Sequence, residues 1–145
     1  MHAIKILIKA SFKAMIKIIC EGKIREDFIK RGIEEYIKRI RKFVKIEILQ
    51  ENIMEDCDYK IFLDEKGKEM DSIEFANFLK NLLMEYKKIC FFIGDWKGIE
   101  KERFLQADFI LSLSKFTFPY QFCPLILLEQ IYRAITIIKG ISYHK

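Results

Sequence analysis

Short apolar runs alternate with amphipathic stretches along this chain, and that alternation limits the folds open to it. The run Ile89–Ile93 is entirely apolar and ends at Gly94. A continuous apolar run of this length is typical of a strand buried on both faces. Strands separated by helices predict a single α/β domain, in which helices cover both faces of a parallel sheet. The predicted strands are Ile16–Cys20, Phe43–Leu49, Tyr59–Leu63, Ile89–Ile93 and Phe109–Leu113.

The stretches between these strands have the spacing of amphipathic helices. Apolar residues recur every three or four positions in Arg25–Lys42, with charges between them. Asp71-Ser72 supplies a capping residue for the next helix, although Ser72 and Phe75 do not make a capping box. A charged loop containing Gly67 is predicted to end the third strand. The other predictions are a short helix over Glu100–Gln106 and a last helix over Cys123–Lys139, with Gly140 as its C-cap.

Composition excludes several classes of protein. The chain has 145 residues, of which 51% are hydrophobic, and a formal net charge of +5. That apolar content excludes a disordered chain, and the small positive charge is only a mild indication of an anionic partner. The longest uncharged run, Phe116–Leu128, contains two prolines and a glutamine. A membrane-spanning helix needs about 20 mostly apolar residues, so no membrane segment is predicted.

The four cysteines have no metal-binding spacing. They are Cys20, Cys57, Cys90 and Cys123, and only His2 and His144 could join them as ligands. Zinc sites need clustered ligands, so no metal is expected. Cys20 and Cys90 lie in apolar runs and are predicted to be buried. We expect reduced thiols, as in a cytosolic protein.

Ligands of parallel sheets bind outside the carboxyl ends of the strands. The loops that begin at Asp64, Gly94 and Ser112 follow three predicted strands. The residue pattern therefore predicts a site close to these three loops, and it does not indicate which reaction takes place there.

Four segments carry more specific information. Leu111–Pro119 reads LSLSKFTFP, Leu127–Ala134 reads LLEQIYRA, and the chain ends Tyr143-His144-Lys145. The segment Met15–Lys23, which contains the first predicted strand, reads MIKIICEGK. Together, in this order and spacing, they resemble the ribosomal RNA large subunit methyltransferase H family, a single-domain branch of the SPOUT methyltransferases.

This resemblance implies a particular fold and reaction. The fold would be a parallel α/β sheet with a C-terminal trefoil knot, and the active species would be a homodimer. S-adenosylmethionine would be the methyl donor, with no metal. The reaction would be methylation at N3 of a pseudouridine in large-subunit ribosomal RNA, on the assembled ribosome in the cytoplasm.

The resemblance also assigns site residues. It implies that Tyr143 and His144 lie near the transferred methyl group, with His144 as a base or an orienting donor. Arg133 would contact the RNA or pair with Glu129 one helical turn away, and Lys145 would also contact the substrate. The cofactor-binding residues would be Leu63, Gly94, Leu113, Ser114, Lys115, Phe116, Thr117 and Phe118.

The resemblance covers residues 15–145, which we expect to form the methyltransferase domain. Residues 1–14 have no counterpart in the family, and they contain Lys5, Lys9 and Lys13 but no acidic residue. We expect them to be an N-terminal extension. Met15 falls where the family begins, and it is predicted to be the native start.

The chain departs from the family pattern at four places. Asp95 replaces a second glycine, Tyr120 a histidine and Pro124 an arginine, and the Gln50–Asp58 segment is short enough to lack a helix. Asp95 would be strained if its position required a positive φ. These departures leave two alternatives open. One is a degenerate SPOUT protein that binds RNA or the ribosome without catalysis, and the other is a SPOUT methyltransferase acting on tRNA.

Overall fold

The computed structural model describes residues 12–50 and 56–145, which form a five-stranded parallel sheet with helices packed against it. The strands are β1 (Met15–Cys20), β2 (Lys45–Leu49), β3 (Tyr59–Glu69), β4 (Lys88–Ile93) and β5 (Phe109–Ser112), in the spatial order β2-β1-β4-β3-β5. The α-helices are α1 (Asp27–Ile40), α2 (Ser72–Glu85) and α3 (Phe122–Lys139), and Lys101–Gln106 is a 3-10 helix.

The centre of the sheet is its most apolar part. β1 and β4 pair in parallel, with Ile16 opposite Ile89 and Ile18 opposite Phe91. All five of the residues Ile89–Ile93 are buried, as the apolar run predicts. The parallel α/β fold is therefore confirmed. The C-terminal trefoil knot stays a prediction of the family resemblance.

Helices lie on both faces of the sheet, but the two faces are unequal. The large core contains the apolar faces of all three α-helices, with Ile29 and Ile33 from α1, Leu79 from α2 and Leu127 from α3. Alternate strand residues point to the other face. There Ile19, Phe62, Cys90 and Phe92 form a small core, which packs against Phe104 of the 3-10 helix.

An ion pair attaches the 3-10 helix to the end of β1. Arg103 contacts the Glu21 carboxylate, and both side chains are largely buried. The Arg103 guanidinium also lies 5.9 Å from the centre of the Phe62 ring. Burial lowers the pKa of Arg103. These contacts hold the connection between β4 and β5 against the small core.

The capping of α2 and α3 differs in part from expectation. The prediction that α2 lacks a capping box is wrong, because Asp71 is the N-cap: its side chain accepts from Glu74 N–H, and the Glu74 side chain accepts from Asp71 N–H. In α3, Pro124 lies in the first turn, where its missing N–H costs no helical hydrogen bond. Gly140, at φ 68°, is the predicted C-cap.

The largest departure from the predicted elements is the length of β3. The sequence predicts that β3 ends at Leu63, but pairing with β5 continues to Glu69 after an irregularity between Leu63 and Lys68, both of which lie opposite Leu111. The intervening residues bulge out of the ladder. Gly67 permits this, since a Cβ atom there would lie 2.7 Å from the Ile110 carbonyl oxygen. Because residues 64–69 are charged except for Gly67, the sequence pattern does not indicate a strand that continues after a bulge.

The prediction of four reduced thiols is also wrong. Cys57 and Cys90 form a disulfide, with Cα atoms 5.9 Å apart at a sequence separation of 33. Residues this distant carry no local signal of pairing. They meet because Lys60, just after Cys57, pairs with Cys90 across β3 and β4. Cys20 is buried as predicted, and this burial raises the pKa of its thiol to about 12.

Two further observations concern only the described residues. No helix among them is long and apolar enough to cross a membrane. Within residues 12–50 and 56–145, no group of three or more His, Cys, Asp or Glu side chains could hold a metal ion. The predicted extension and the shortened segment fall mostly on residues 1–11 and 51–55, outside the described residues.

Candidate active site

A cavity of about 290 Å³ opens where β3 is interrupted by its bulge and at the carboxyl ends of β4 and β5. Its walls include Leu63 and Asp64 at the start of the bulge, Ile93 and Gly94 at the end of β4, and Leu113 directly after β5. This is the edge at which ligands of parallel sheets bind, and the one predicted from the sequence. The bulge in β3 contributes Asp64, Glu65 and Lys66 to the lining.

Most of the predicted cofactor-binding residues meet in this cavity. Its lining includes Leu63, Gly94, Leu113, Ser114, Phe116, Thr117 and Phe118. Lys115 does not line it: its side chain is exposed, and its Nζ lies 3.9 Å from a Glu69 carboxylate oxygen. The structure thus brings these loops together, and the cofactor roles stay predictions.

The loop after β5 is held by hydrogen bonds from its own side chains. The Ser112 hydroxyl, on a buried residue, donates to the Ser114 carbonyl at 3.0 Å. The Ser114 hydroxyl accepts from the Phe116 N–H at 3.0 Å. These bonds fix the backbone of the loop where it forms the cavity wall, so its polar groups are preorganised to meet a ligand.

The turn after β4 is tightly packed. A Cβ atom on Gly94 would lie 2.6 Å from the Gly98 carbonyl carbon, so only glycine fits there. Gly98, at φ 79°, donates its N–H to the Asp95 carbonyl at 2.9 Å. The Asp95 carboxylate accepts from Lys97 N–H at 2.8 Å. Among the described residues only glycines have positive φ, so Asp95 escapes the strain considered above.

Several lining residues were not predicted from the sequence. They are Asp64, Glu65, Lys66, Asp95, Trp96, Gly98, Tyr120 and Cys123, together with Ile93 at the end of β4. Asp64 and the residues after Gly94 lie in loops that the sequence did indicate. Tyr120 was singled out only as a departure from the family pattern, and Cys123 gave no signal of a site, because both reach the cavity only through the path of the chain before α3. Burial raises the pKa of the Cys123 thiol.

The predicted catalytic residues lie in a second cluster, at the far end of α3. The Arg133 guanidinium donates to both carboxylate oxygens of Glu129, from Nε to Oε1 at 3.0 Å and to Oε2 at 3.2 Å, and from Nη2 to Oε2 at 3.0 Å. Arg133 Nη1 lies 3.0 Å from His144 Nδ1. Because arginine only donates, Nδ1 accepts here, and the ring hydrogen of the neutral imidazole is on Nε2.

Tyr143 joins Glu129, Arg133 and His144, and these four residues form the C-terminal cluster. Its hydroxyl donates to Glu129 Oε2 at 3.3 Å and lies 3.5 Å from the Tyr36 hydroxyl. Burial, the Tyr36 contact and the Glu129 charge raise the pKa of Tyr143. The hydrogen bond with Glu129 raises the pKa of Arg133. Of the two roles considered for Arg133, pairing with Glu129 is therefore the one that the structure shows.

Within one chain the two groups of predicted residues are separate. Cys123 lines the cavity and Arg133 lies ten residues later on α3, which corresponds to about 15 Å along the helix axis. Arg133, Tyr143, His144 and Lys145 are not among the residues that line the cavity. Lys145 is exposed at the end of the chain.

Comparison with known proteins supports the family that the sequence resembles. The model of a family described as predicted SPOUT methyltransferases matches residues 49–144. A solved structure described as a probable methylase family protein from Haemophilus influenzae Rd KW20 superposes with a TM-score of 0.56. It covers 92% of this chain and 70% of its own, at 10% identity, so this likeness concerns the fold alone.

Curated relatives cover almost all of the chain. The protein named ribosomal RNA large subunit methyltransferase H from Carboxydothermus hydrogenoformans is 38% identical, over 90% of this chain and 99% of its own length. The protein of the same name from Thermotoga sp. (strain RQ2) is 40% identical, over 89% of this chain and 98% of its own. The chain belongs to the SPOUT methyltransferases, in the ribosomal RNA large subunit methyltransferase H family.

Proposed function

We propose that this chain transfers a methyl group from S-adenosylmethionine to N3 of a pseudouridine in large-subunit ribosomal RNA, acting on the assembled ribosome in the cytoplasm. The observation that carries the proposal is the cavity, which three loops form at the carboxyl edge of the sheet. The chain that contains it is 40% identical to a protein named ribosomal RNA large subunit methyltransferase H. The bound cofactor would supply an electrophilic methyl group on a positively charged sulfur. The bond from this methyl carbon to sulfur would break as N3 bonds to the carbon, and the proton of N3 would be released to solvent water.

The residues of the cavity fit such a cofactor. Leu63, Leu113 and Phe118 offer apolar surface for a flat adenine ring, and the preorganised loop after β5 offers backbone donors and acceptors for its edge. The carboxylates of Asp64, Glu65 and Asp95 suit a ligand that carries positive charge. A volume of about 290 Å³ lies just below the usual range of ligand pockets, about 300–1,000 Å³.

The C-terminal cluster would orient the target base. With Nδ1 engaged by Arg133, His144 presents its Nε2–H as a donor, which suits a carbonyl oxygen beside N3. Arg133 itself is held by Glu129, and so its main effect on the substrate would be exerted through His144. Lys145 would contact the RNA backbone as an exposed cation.

The distance between cavity and cluster supports a homodimer as the active species. A residue about 15 Å along α3 from the cavity does not complete a site within its own chain. A second copy, packed with its C-terminal cluster against the cavity, would bring His144 to the methyl group. Each active site would then draw residues from both chains.

The test of the reaction has two stages. Calorimetry should first detect binding of S-adenosylmethionine to the purified protein. Radiolabelled methyl transfer should then be measured to ribosomes from a bacterial strain that lacks the corresponding methyltransferase. Absence of cofactor binding would favour the degenerate RNA-binding alternative, and transfer to tRNA but not to ribosomes would favour the tRNA alternative.

Mixed dimers test whether the site is shared. Thr117→Trp fills the cavity from an exposed position, and His144→Ala removes the donor. After unfolding and refolding in an equal mixture, the two inactive variants should recover about a quarter of the wild-type activity, since half of the dimers are mixed and one site in each is complete. No recovery would show that each site belongs to one chain.

A further inference from the structure

The turn after β4 carries the single tryptophan of the chain, in an unusual environment. Trp96 lines the cavity, yet 76% of its surface is exposed. A large aromatic side chain is normally buried because its apolar area is large. Single exposed leucines on a surface are common and need no explanation. An exposed tryptophan at the mouth of the candidate active site instead indicates a function.

The backbone beneath Trp96 is braced on both sides. The Asp95 carboxylate holds Lys97 N–H at 2.8 Å, and Gly98 N–H closes the turn onto the Asp95 carbonyl at 2.9 Å. Gly94 packs directly against Gly98. The turn thus fixes the backbone from which the indole reaches the mouth of the cavity, so little backbone entropy is lost on binding.

A second exposed aromatic side chain reaches the same cavity from another loop. Phe116, after β5, is 79% exposed and also lines the cavity. The Lys97 ammonium lies 5.2 Å from the centre of the Trp96 ring. Two aromatic rings and an adjacent cation at a cavity mouth match the way proteins hold unpaired nucleobases, by stacking and by contact with phosphate.

We infer that Trp96 is the platform on which the unpaired target base of the RNA stacks while its N3 faces the methyl donor. This inference rests on the proposed function. N3 lies on the edge of the base that forms pairs, so the base must leave its helix before it reacts. A base taken from its stack then needs a new partner for its flat face, and an exposed indole beside the methyl donor supplies one.

The charge at the cavity strengthens the case for stacking. The lining contains Asp64, Glu65 and Asp95 but only one lysine, Lys66, so electrostatic attraction to RNA is weak there. Stacking on an aromatic side chain does not depend on charge. It contributes about 1–3 kcal/mol per base, which corresponds to about 5- to 150-fold in affinity.

The test is steady-state methyl transfer to ribosomes from a strain that lacks the corresponding enzyme. Trp96→Ala should raise KM for ribosomes about ten-fold or more, while the affinity for S-adenosylmethionine measured by calorimetry changes less than about two-fold. Trp96→Phe should restore KM to within about three-fold of wild type, because phenylalanine keeps a stacking face. The control is Leu105→Ala on the 3-10 helix, which removes a side chain that is 89% exposed.

The outcomes separate this inference from the proposed function. Wild-type protein that methylates no ribosome would refute the proposed reaction. Active wild type with an unchanged KM in Trp96→Ala would refute stacking alone. Loss of cofactor affinity in Trp96→Ala would also overturn the inference, since Trp96 would then belong to the cofactor site. Failure of Trp96→Phe to restore KM would show that the aromatic face is not what the substrate uses.

Discussion

The ring of Tyr120 lies directly over Gly22, so that a Cβ atom on Gly22 would be 2.5 Å from Tyr120 Cε2. The Tyr120 hydroxyl donates to the Lys23 carbonyl at 3.2 Å and ties the ring to the chain just after β1. Tyr120 also lines the cavity. Tyr120 thus couples the end of β1 to the cavity wall, and only glycine at position 22 leaves room for the Tyr120 ring.

Gly22→Ala should therefore disturb both stability and cofactor binding. The new methyl group would also lie 3.1 Å from Asp95 Cα, so the Tyr120 ring must move. We expect the free energy of unfolding in urea to fall by about 1–3 kcal/mol, as for other overpacked sites, and the affinity for S-adenosylmethionine to fall with it. In the double variant with Tyr120→Ala, the loss should be smaller than the sum of the single losses. Additive losses would contradict a direct clash.

Gln121→Ala should destabilise α1, although the two are distant in sequence. The Gln121 side-chain oxygen accepts from the N–H groups of Arg25, at 2.8 Å, and Glu26, at 3.1 Å, just before the helix begins. The N-cap residue Glu26 makes no side-chain cap of its own. Removal of these bonds should cost about 0.5–1.5 kcal/mol in urea unfolding.

Gln121→Glu is the matched variant for this capping interaction. A carboxylate keeps the acceptor and adds negative charge near a helix N-terminus, which is favourable. Its stability should equal or exceed that of wild type. Equal destabilisation by alanine and glutamate would show that the hydrogen bonds to the N–H groups of Arg25 and Glu26 do not stabilise the start of α1.

Cys57→Ser should lower stability only under oxidising conditions. The Cys57–Cys90 bond closes a loop of 33 residues, which corresponds to about 3–4 kcal/mol in the chain-entropy estimate. Urea unfolding without reductant should show this loss, and excess dithiothreitol should remove most of the difference from wild type. A count of thiols in denaturant should find Cys20 and Cys123 free before reduction and all four cysteines after it. Four reactive thiols without reductant would contradict the pairing.

Tyr143 should make the stability depend on alkaline pH. Its pKa in the folded protein is raised above the ordinary 10.0, chiefly by burial and by the Tyr36 contact. The folded state then holds the proton more tightly than the unfolded chain. The stabilisation is fully present below pH 10 and is lost as the pH rises towards the folded pKa.

Tyr143→Phe isolates this contribution from that of the other tyrosines. The difference in unfolding free energy between wild type and the variant should shrink as the pH rises from about 9 to 11. A difference that stays constant over this interval would mean that Tyr143 titrates alike in the folded and unfolded states.

His144→Ala should reduce turnover without affecting the cofactor. His144 lies in the C-terminal cluster and not in the cavity lining, so S-adenosylmethionine affinity should be nearly unchanged. Loss of one oriented donor should lower kcat for ribosome methylation by about 100-fold. Lys145→Ala should instead raise KM for ribosomes, because Lys145 would contact the RNA backbone as an exposed cation. Equal loss of turnover and cofactor affinity in His144→Ala would contradict a role at the reacting base.

Local patterns of the sequence account for much of this fold. The apolar run Ile89–Ile93 and the periodicity of residues 25–42 predict a buried strand and an amphipathic helix, because side chains alternate along strands and recur every 3.6 residues along helices. Gly94 and the loop after β5 lie where parallel strands end, so the position of the cavity also follows from the order of the elements.

Other features depend on residues that meet only in the folded chain. The Cys57–Cys90 bond, the capping of α1 by Gln121 and the packing of Tyr120 on Gly22 join positions between 33 and 98 apart in sequence. No local pattern encodes such contacts, since they arise from strand order and from the path of the chain before α3. The same holds for the pairing of β3 with β5 beyond the bulge and for the distance between the cavity and His144. Periodicity reports which face of an element is apolar, whereas the sites of this protein depend on which ends of different elements are brought together.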